Sequence, residues 1–149
     1  MIEIRPCKCD DAVAVSALLG ELGYTVSIEQ ATERIAELSG TGSDPIFLAV
    51  GNGQVLGLLA SHLCRVLQYP SPMMRVTALV VDQRARRRGV GKLLMEHAEL
   101  TGSAAGCEFV ELTSAMDRAS PRLLSWHRIR AEFAPLPQAA GRVIPALNI

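Results

Sequence analysis

The sequence predicts an α/β (α+β) fold, in which helices flank a central mixed, mostly antiparallel sheet. Two patterns indicate it. Apolar, β-rich runs at 46–50 and 54–63 surround Gly51-Asn52-Gly53, and an Asn-Gly pair in this setting favours the positive φ angles of a tight hairpin turn. Residues 76–113 then follow the order strand, Arg/Gly-rich loop, helix and strand, which is a βαβ unit and makes two strands parallel.

The first part of the chain adds one strand and two helices. Apolar and polar residues alternate over 2–5, which predicts a strand. A first helix is predicted to begin at Asp10 or Asp11 and to end at Gly23, and Ser27 is predicted to begin a second. The apolar stripe of the first helix contains Val13, Ala14, Ala17, Leu18 and Leu22. That of the second contains Ile28, Ala31, Ile35 and Leu38.

The βαβ unit supplies the centre of the predicted sheet. Its first strand, 76–81, is almost wholly apolar, as expected for a strand buried on both faces. The helix covers 90–100 and has Val90, Leu93, Leu94 and Ala98 on one side. A fifth strand over 109–113 completes the unit.

Length and composition predict one compact domain over 1–149. Hydrophobic residues make up 49% and charged residues 20%, which excludes the composition of a disordered chain. The 15 basic and 15 acidic side chains balance, so the whole molecule has no net field that would attract nucleic acid or an anionic membrane. With no signal-like segment and no apolar stretch of membrane-spanning length, we expect a cytoplasmic protein.

The four cysteines, Cys7, Cys9, Cys64 and Cys107, lack the spacing of a metal site. We therefore predict reduced thiols and no bound metal.

The chemistry is predicted in the loop between strand 76–81 and the following helix. Residues 83–92 place arginines and glycines where a helix begins, and unpaired backbone N–H groups with the helix dipole favour an anion there. Gly89 and Gly91 remove side chains that would keep a pyrophosphate from the backbone, while Arg86, Arg88 and Lys92 supply positive charge. A phosphate-bearing ligand is therefore predicted.

Arg86-Arg87-Arg88-Gly89-Val90-Gly91 resembles the R/Q-x-x-G-x-G/A signature of the GNAT acetyltransferases, and the order of elements over 2–113 is similar to that family. The resemblance implies acetyl-CoA as cosubstrate, with its pyrophosphate on the loop and its pantetheine arm along the backbone of the central strand. The implied cofactor-binding residues are Leu79, Val80, Val81, Arg86, Arg87, Arg88, Gly89, Val90, Gly91 and Lys92.

Two other interpretations of the arginine cluster are open. A run of arginines after a strand is often a solvated turn, and the short motif alone is weak. A nucleic-acid module is the rival from another class, but neutral net charge and 4% aromatic residues argue against it.

The resemblance leaves the general base open. Some GNAT enzymes have a Glu on the fourth strand, where this chain offers only Thr77. Glu111 and His62 are the strand-borne catalytic candidates, but His62 could simply cap a strand end and Glu111 could face solvent on an alternating strand. Tyr24 is a candidate for the acceptor pocket or for packing.

The acceptor predicted from the resemblance is a small primary amine. Three segments are similar to small bacterial members such as the aminoalkylphosphonate acetyltransferases, namely Glu21-Leu22-Gly23-Tyr24, His62-Leu63 and Glu111-Leu112-Thr113-Ser114. A protein N-terminus or a lysine is the competing acceptor.

The chain departs from the family pattern after Ser114, and we expect an atypical tail from about 118. The family continues with Ala-His-x-Phe-Tyr, whose Tyr protonates the leaving thiolate, whereas residues 121–130 contain no Tyr. Codons for 120–130 can be chosen so that the next frame encodes Ala-His-Asp and Phe-Tyr-Pro-Gly-Ile-Gly-Tyr, so a frameshift and a naturally diverged tail are both open. The alternative function is an acyl-CoA-binding protein with impaired catalysis. A poorly covered edge after strand five predicts a homodimer.

Overall fold

A computed structural model describes residues 1–112 and the backbone of 127–128. Within these residues a mixed sheet has six strands in sequence order. Neighbouring strands are antiparallel except for the parallel pair β4–β5, so the predicted mixed, mostly antiparallel sheet is confirmed. The strands are β1 (Ile2–Pro6), β2 (Ile46–Gly51), β3 (Gln54–Cys64), β4 (Met73–Val81), β5 (Phe109–Leu112) and β6 (His127–Arg128).

In the described part of the chain, three α-helices flank the sheet: α1 (Ala12–Glu21), α2 (Ile28–Thr41) and α3 (Val90–Ala104). Two single-turn 3₁₀ segments, Cys9–Asp11 and Gln83–Ala85, precede α1 and α3. Ser27 caps α2 as predicted, because its hydroxyl accepts from the Gln30 N–H while the Gln30 side chain bonds back to the Ser27 N–H. Gly42 ends α2 in the left-handed conformation.

Two apolar clusters bind the helices to opposite faces of the sheet. α1 and α2 pack on the face of Leu48, Leu58 and Val80. α3 packs on the other face through Val90 and Leu94, which are almost fully buried. This sandwich confirms the predicted arrangement of helices around the sheet.

Gly57 on β3 explains how closely α3 approaches the sheet. A Cβ there would lie 3.1 Å from both Val90 Cγ1 and Leu94 Cδ1 and 3.0 Å from Val80 O. A larger residue would therefore push the first turns of α3 away from β3 and β4.

Several element predictions are confirmed, and others are wrong in detail. Asn52 and Gly53 have φ of 50° and 73° and form the predicted hairpin turn between β2 and β3. Val13 and Ile28, predicted on buried stripes, are exposed, because the faces that pack are Ala12, Val15 and Leu18 in α1 and Ala31 and Ile35 in α2. The predicted end of the third helix is wrong, since α3 continues to Ala104 despite Gly102.

The outer edge of β5 is partly covered, because β6 pairs with Phe109 and Val110. The poorly covered edge after strand five and the homodimer that rests on it both stay predictions. Apart from the backbone of β6, the predicted atypical tail and the frameshift hypothesis lie outside the described residues.

The cysteines of the described chain are free, and burial raises the pKa of the Cys7 thiol to about 11. Among the same residues, none of the helices is both long and apolar enough to cross a membrane.

Candidate functional site

The edge of β4 that faces β5 has partners along only part of its length within the described residues. Met74, Arg75 and Val76 pair with Val110, Glu111 and Leu112, and we call the stretch of this edge beyond Val76 the gap. Just beyond, the register of β4 against β3 shifts, since Ser61 pairs with Val76 but Ala60 pairs with Ala78. Thr77 is the extra residue of a β-bulge, and bulges bend the strand that carries them. The second half of β4 therefore takes a different course from the first half, which pairs with β5.

The backbone of β4 offers its polar groups to this gap at alternate residues. The Asp82 N–H donates to Leu56 O at 2.9 Å, which places Asp82 in a hydrogen-bonded pair with β3. Because these pairs alternate along an antiparallel ladder, Val80 faces β3, whereas Leu79 and Val81 face the gap. Of the three strand residues predicted to bind the pantetheine arm, only these two present their backbone to it.

Arg86 supports this orientation and connects the gap to α1. Its Nε donates to Val81 O at 3.3 Å, and its Nη2 lies 3.1 Å from Glu21 Oε2. Glu21 is the last residue of α1, so one side chain links three elements. The side chain of Arg86 is thus engaged within the protein.

The start of α3 borders the same gap and forms a concave turn of backbone N–H groups. Arg87 and Gly89 have φ of 62° and 79°, both left-handed, and such turns point successive N–H groups toward one anion. Gly89 is the N-cap without a side-chain cap, so the first-turn amides of α3 have no intrahelical partner. A Cβ on Gly91 would lie 3.6 Å from Val81 Cγ2, which shows how closely this turn packs on β4.

The cations of this turn differ in how they are engaged. Arg84 makes a two-pronged contact with Asp82 at 3.0 and 2.8 Å, and this hydrogen bonding lowers the pKa of Asp82 to about 2. Lys92 lies 3.6 Å from Glu96 on the exposed surface of α3. Arg87 and Arg88 are exposed, and within the described residues neither is in an ion pair.

Both catalytic candidates lie in one row across three strands. His62 on β3 is the Cα partner of Arg75 on β4, and Arg75 is the partner of Glu111 on β5. Leu63, Met74, Val76 and Val110 pack toward α3, so strand alternation places the row on the opposite face of the sheet. On β4 the row is at Arg75, one residue before Val76, the last residue of β4 that pairs with β5. The row therefore lies beside the start of the gap.

Glu111 is buried in this row rather than exposed to solvent. Arg75 Nε donates to Glu111 Oε2 at 2.6 Å, and the Glu111 side chain is only 11% exposed. This hydrogen bond, in which Glu111 accepts, raises the pKa of Arg75. One carboxylate oxygen of Glu111 is therefore occupied by a permanent cation.

His62 is the more accessible candidate. Its side chain is 45% exposed, and its Nδ1 lies 2.7 Å from Asp44 Oδ1. Asp44 Oδ2 also accepts from the Thr41 and Ser43 hydroxyls, and these hydrogen bonds, Thr41 first, lower the pKa of Asp44. We call Asp44, His62, Arg75 and Glu111 the polar row.

Tyr24 lies in the α1–α2 loop and is about half exposed. Gly23, with φ of 91°, begins this loop, and the Ser16 hydroxyl holds it by donating to Val26 O at 2.6 Å. Tyr24 follows Glu21 by three residues, so the loop starts beside Arg86. Its predicted role in the acceptor pocket stays a prediction.

Sequence reasoning missed Asp44, Arg75 and Glu21. Arg75 could have been found as the charged residue of a largely apolar strand. Asp44 and Glu21 carry no local signal, because their partners are 18 and 65 residues away in the chain. Within 1–112 and the two residues of β6, His, Cys, Asp and Glu form no group able to hold a metal ion.

Comparisons with known proteins agree with this geometry. A model of the acetyltransferase (GNAT) family matches residues 15–124. An uncharacterized N-acetyltransferase from Chlorobaculum tepidum is 26% identical over 133 residues, covering 89% of this chain and 79% of the relative.

Solved structures share the fold. A GNAT family acetyltransferase from Staphylococcus aureus superposes with a TM-score of 0.72 at 20% identity, covering 83% of this chain and 94% of that one. A glucosamine-6-phosphate N-acetyltransferase from Arabidopsis thaliana gives 0.69 at 22% identity, with 78% and 84% covered.

Proposed function

The chain belongs to the acetyltransferase (GNAT) family, and from this premise we propose that it moves the acetyl group of acetyl-CoA to the primary amine of a small molecule. The observation that carries the proposal is the gap beside Leu79 and Val81, which opens directly onto the left-handed turn at Arg87 and Gly89. A strand edge that can pair with amides lies next to a turn that can bind phosphate. Acetyl-CoA needs both, because its pantetheine arm carries amides and is attached to a pyrophosphate.

We assign the cofactor contacts by which groups are available. The pyrophosphate binds the backbone amides of 87–92, with Arg87, Arg88 and Lys92 at the rim. The pantetheine amides pair with Leu79 and Val81. Arg84 and Arg86 are engaged with Asp82 and Glu21, which leaves fewer cations for an anionic polymer and favours this function over nucleic-acid binding.

Between the two base candidates, the geometry favours His62. Glu111 is buried and bound by Arg75, whereas the His62 ring is half exposed on the face of the polar row. His62 takes a proton from the acceptor ammonium, directly or through water. The amine nitrogen then bonds to the thioester carbon, the carbon–sulfur bond breaks, and the thiolate leaves with the electron pair. The nitrogen gives up its second proton, which the thiolate takes directly or through water, so the products are the amide and the free thiol.

A small-molecule acceptor is the finer part of the proposal. The Arabidopsis relative, named for glucosamine-6-phosphate, shares the fold. Tyr24 lies in the α1–α2 loop, and both helices pack on the face of the sheet that carries His62, so its location suits a pocket for a small amine there. The similarity to aminoalkylphosphonate acetyltransferases stays a prediction.

Impaired turnover is the second candidate. No Tyr occurs after Tyr69, so the chain lacks the phenol that serves as the acid in the family pattern. A thiolate that leaves without a positioned proton donor leaves slowly.

One pair of measurements tests the proposal. We expect isothermal titration calorimetry to show acetyl-CoA binding, and a thiol-release assay to show turnover on at least one member of a panel of amino acids, amino sugars and aminoalkylphosphonates. Binding without release on every acceptor supports the impaired protein. Absence of acetyl-CoA binding by folded protein contradicts both.

A further inference from the structure

We propose that Asp44 is the positioning residue of the catalytic base, holding the His62 ring with Nδ1 protonated and Nε2 turned toward the acceptor amine. The inference rests on the proposed function, in which His62 is the base, and it assigns a role to a residue outside the family motif.

The main chain fixes the two residues beside each other. The Ser61 N–H donates to Pro45 O at 3.1 Å, and the Leu63 N–H donates to Ser43 O at 2.7 Å. These two bonds bracket the pair, because His62 lies between their donors and Asp44 between their acceptors. The contact is therefore a consequence of chain pairing rather than of two mobile side chains meeting.

The Asp44 carboxylate is held in one orientation. Oδ2 accepts from Thr41 Oγ1 at 2.6 Å and from Ser43 Oγ at 3.1 Å, which leaves Oδ1 to face the imidazole. The carboxylate is ionised at neutral pH, since the same hydroxyls lower its pKa. A fixed anion accepts a proton-bearing nitrogen, so Nδ1 is the donor and Nε2 keeps its lone pair.

This arrangement assists one proton transfer. Nε2 forms a bond to a proton of the acceptor ammonium as the N–H bond of the ammonium breaks, and the ring becomes a cation. The Asp44 carboxylate, 2.7 Å from the opposite ring nitrogen, stabilises that cation. The amine is left neutral and nucleophilic.

The other charges around His62 do not replace Asp44. Arg75 is its neighbour on β4 and opposes a ring cation, but Glu111 on β5 bonds Arg75 and offsets that charge. Cys64 follows two residues later on β3, on the same face. Asp44 is the carboxylate that contacts the ring directly in the described part of the chain.

The experiment compares wild type with D44N and uses D11N as the matched control. Asp11 is a similarly buried carboxylate that bonds Arg5 at the end of β1, away from the polar row. We expect D44N to lower kcat/KM by at least about 10- to 100-fold, the range for losing a group that orients a metal-bound histidine, and by up to about 10⁴-fold if the wrong tautomer dominates. D11N should leave kcat/KM unchanged.

A double-mutant cycle separates positioning from a general structural effect. H62Q should lower the rate by about two to four orders of magnitude, as loss of a placed base does. D44N should then have no further effect in the H62Q background. Independent losses that multiply in the double variant would overturn the inference.

A measurement independent of turnover completes the test. Nitrogen NMR of the His62 ring, identified by its absence in H62Q, should show the Nδ1-protonated tautomer in wild type and a mixture in D44N. Identical tautomers in the two proteins would overturn the positioning role whether or not any amine is acetylated. If D44N changes the His62 tautomer as expected but H62Q keeps full turnover, Asp44 positions the ring and His62 is not the base.

Discussion

The cofactor turn, residues 86–92, and the polar row are built in different ways. The turn is contiguous in sequence and offers mainly backbone groups, presented by two left-handed residues and a helix start. The row consists of side chains from the α2–β2 loop and three strands, brought together by strand register. The GNAT signature therefore coincides with the first region and is silent about the second.

This difference separates binding from catalysis. A one-residue change in the pairing of β3 with β4 would move His62 to the other face of the sheet, although the cofactor turn would be unaffected. Conversely, a substitution in the turn changes no contact of the polar row. We expect variants of the two regions to alter different kinetic constants.

The largest expected effect concerns the tail. If it has lost the family's Tyr through a frameshift, the reconstructed tail should raise kcat by about two to four orders of magnitude, because a positioned acid contributes that much. Acetyl-CoA affinity should change little, since the cofactor turn is untouched. Stopped-flow and steady-state assays of the two proteins check both numbers.

Sequencing the source gene is the control for that prediction. An intact reading frame, together with fast turnover by the chain as it stands, would reject both the frameshift and the impaired catalyst. The same result would mean that another group in the site protonates the thiolate.

The next largest effect is expected for Gly89→Val. The side chain would enter the space from which the pyrophosphate approaches, and φ of 79° strains any branched residue. Loss of one or two charge-assisted hydrogen bonds at about 1.5–3 kcal/mol each should weaken acetyl-CoA binding at least about tenfold. Calorimetry measures the affinity.

Gly106→Val is the matched control. Gly106 has φ of 81°, and a Cβ there also meets open space, but it follows the opposite end of α3. Both variants carry the same backbone strain, so only Gly89→Val should weaken binding. Equal affinities in the two folded variants would remove the phosphate from the cofactor turn.

Local patterns were sufficient for the features that are contiguous in the chain. The hairpin at Asn52 and the cap at Ser27 follow from residue types at fixed spacing, and the structure has both. The His62–Asp44 contact and the Arg75–Glu111 pair depend on which strands are neighbours and in which register. Alternation suggested that Glu111 could face solvent, but it could not reveal that Arg75 neutralises it in a buried position.

The smallest expected effect concerns the surface ion pair between Asp82 and Arg84. The pKa of Asp82 is lowered from 3.8 to about 2, chiefly by the Arg84 side chain. Because the folded value is the lower one, this contact stabilises the protein above about pH 4 and the stabilisation is lost as pH falls toward 2. Urea unfolding should show wild type slightly more stable than D82N at pH 5, with the difference shrinking at pH 3 and vanishing near pH 2. A difference in stability that does not depend on pH would mean that Asp82 acts only by capping the 3₁₀ turn.

Arg84 would then be available to the phosphate, and the cofactor turn would have one more cation beside it than we assign.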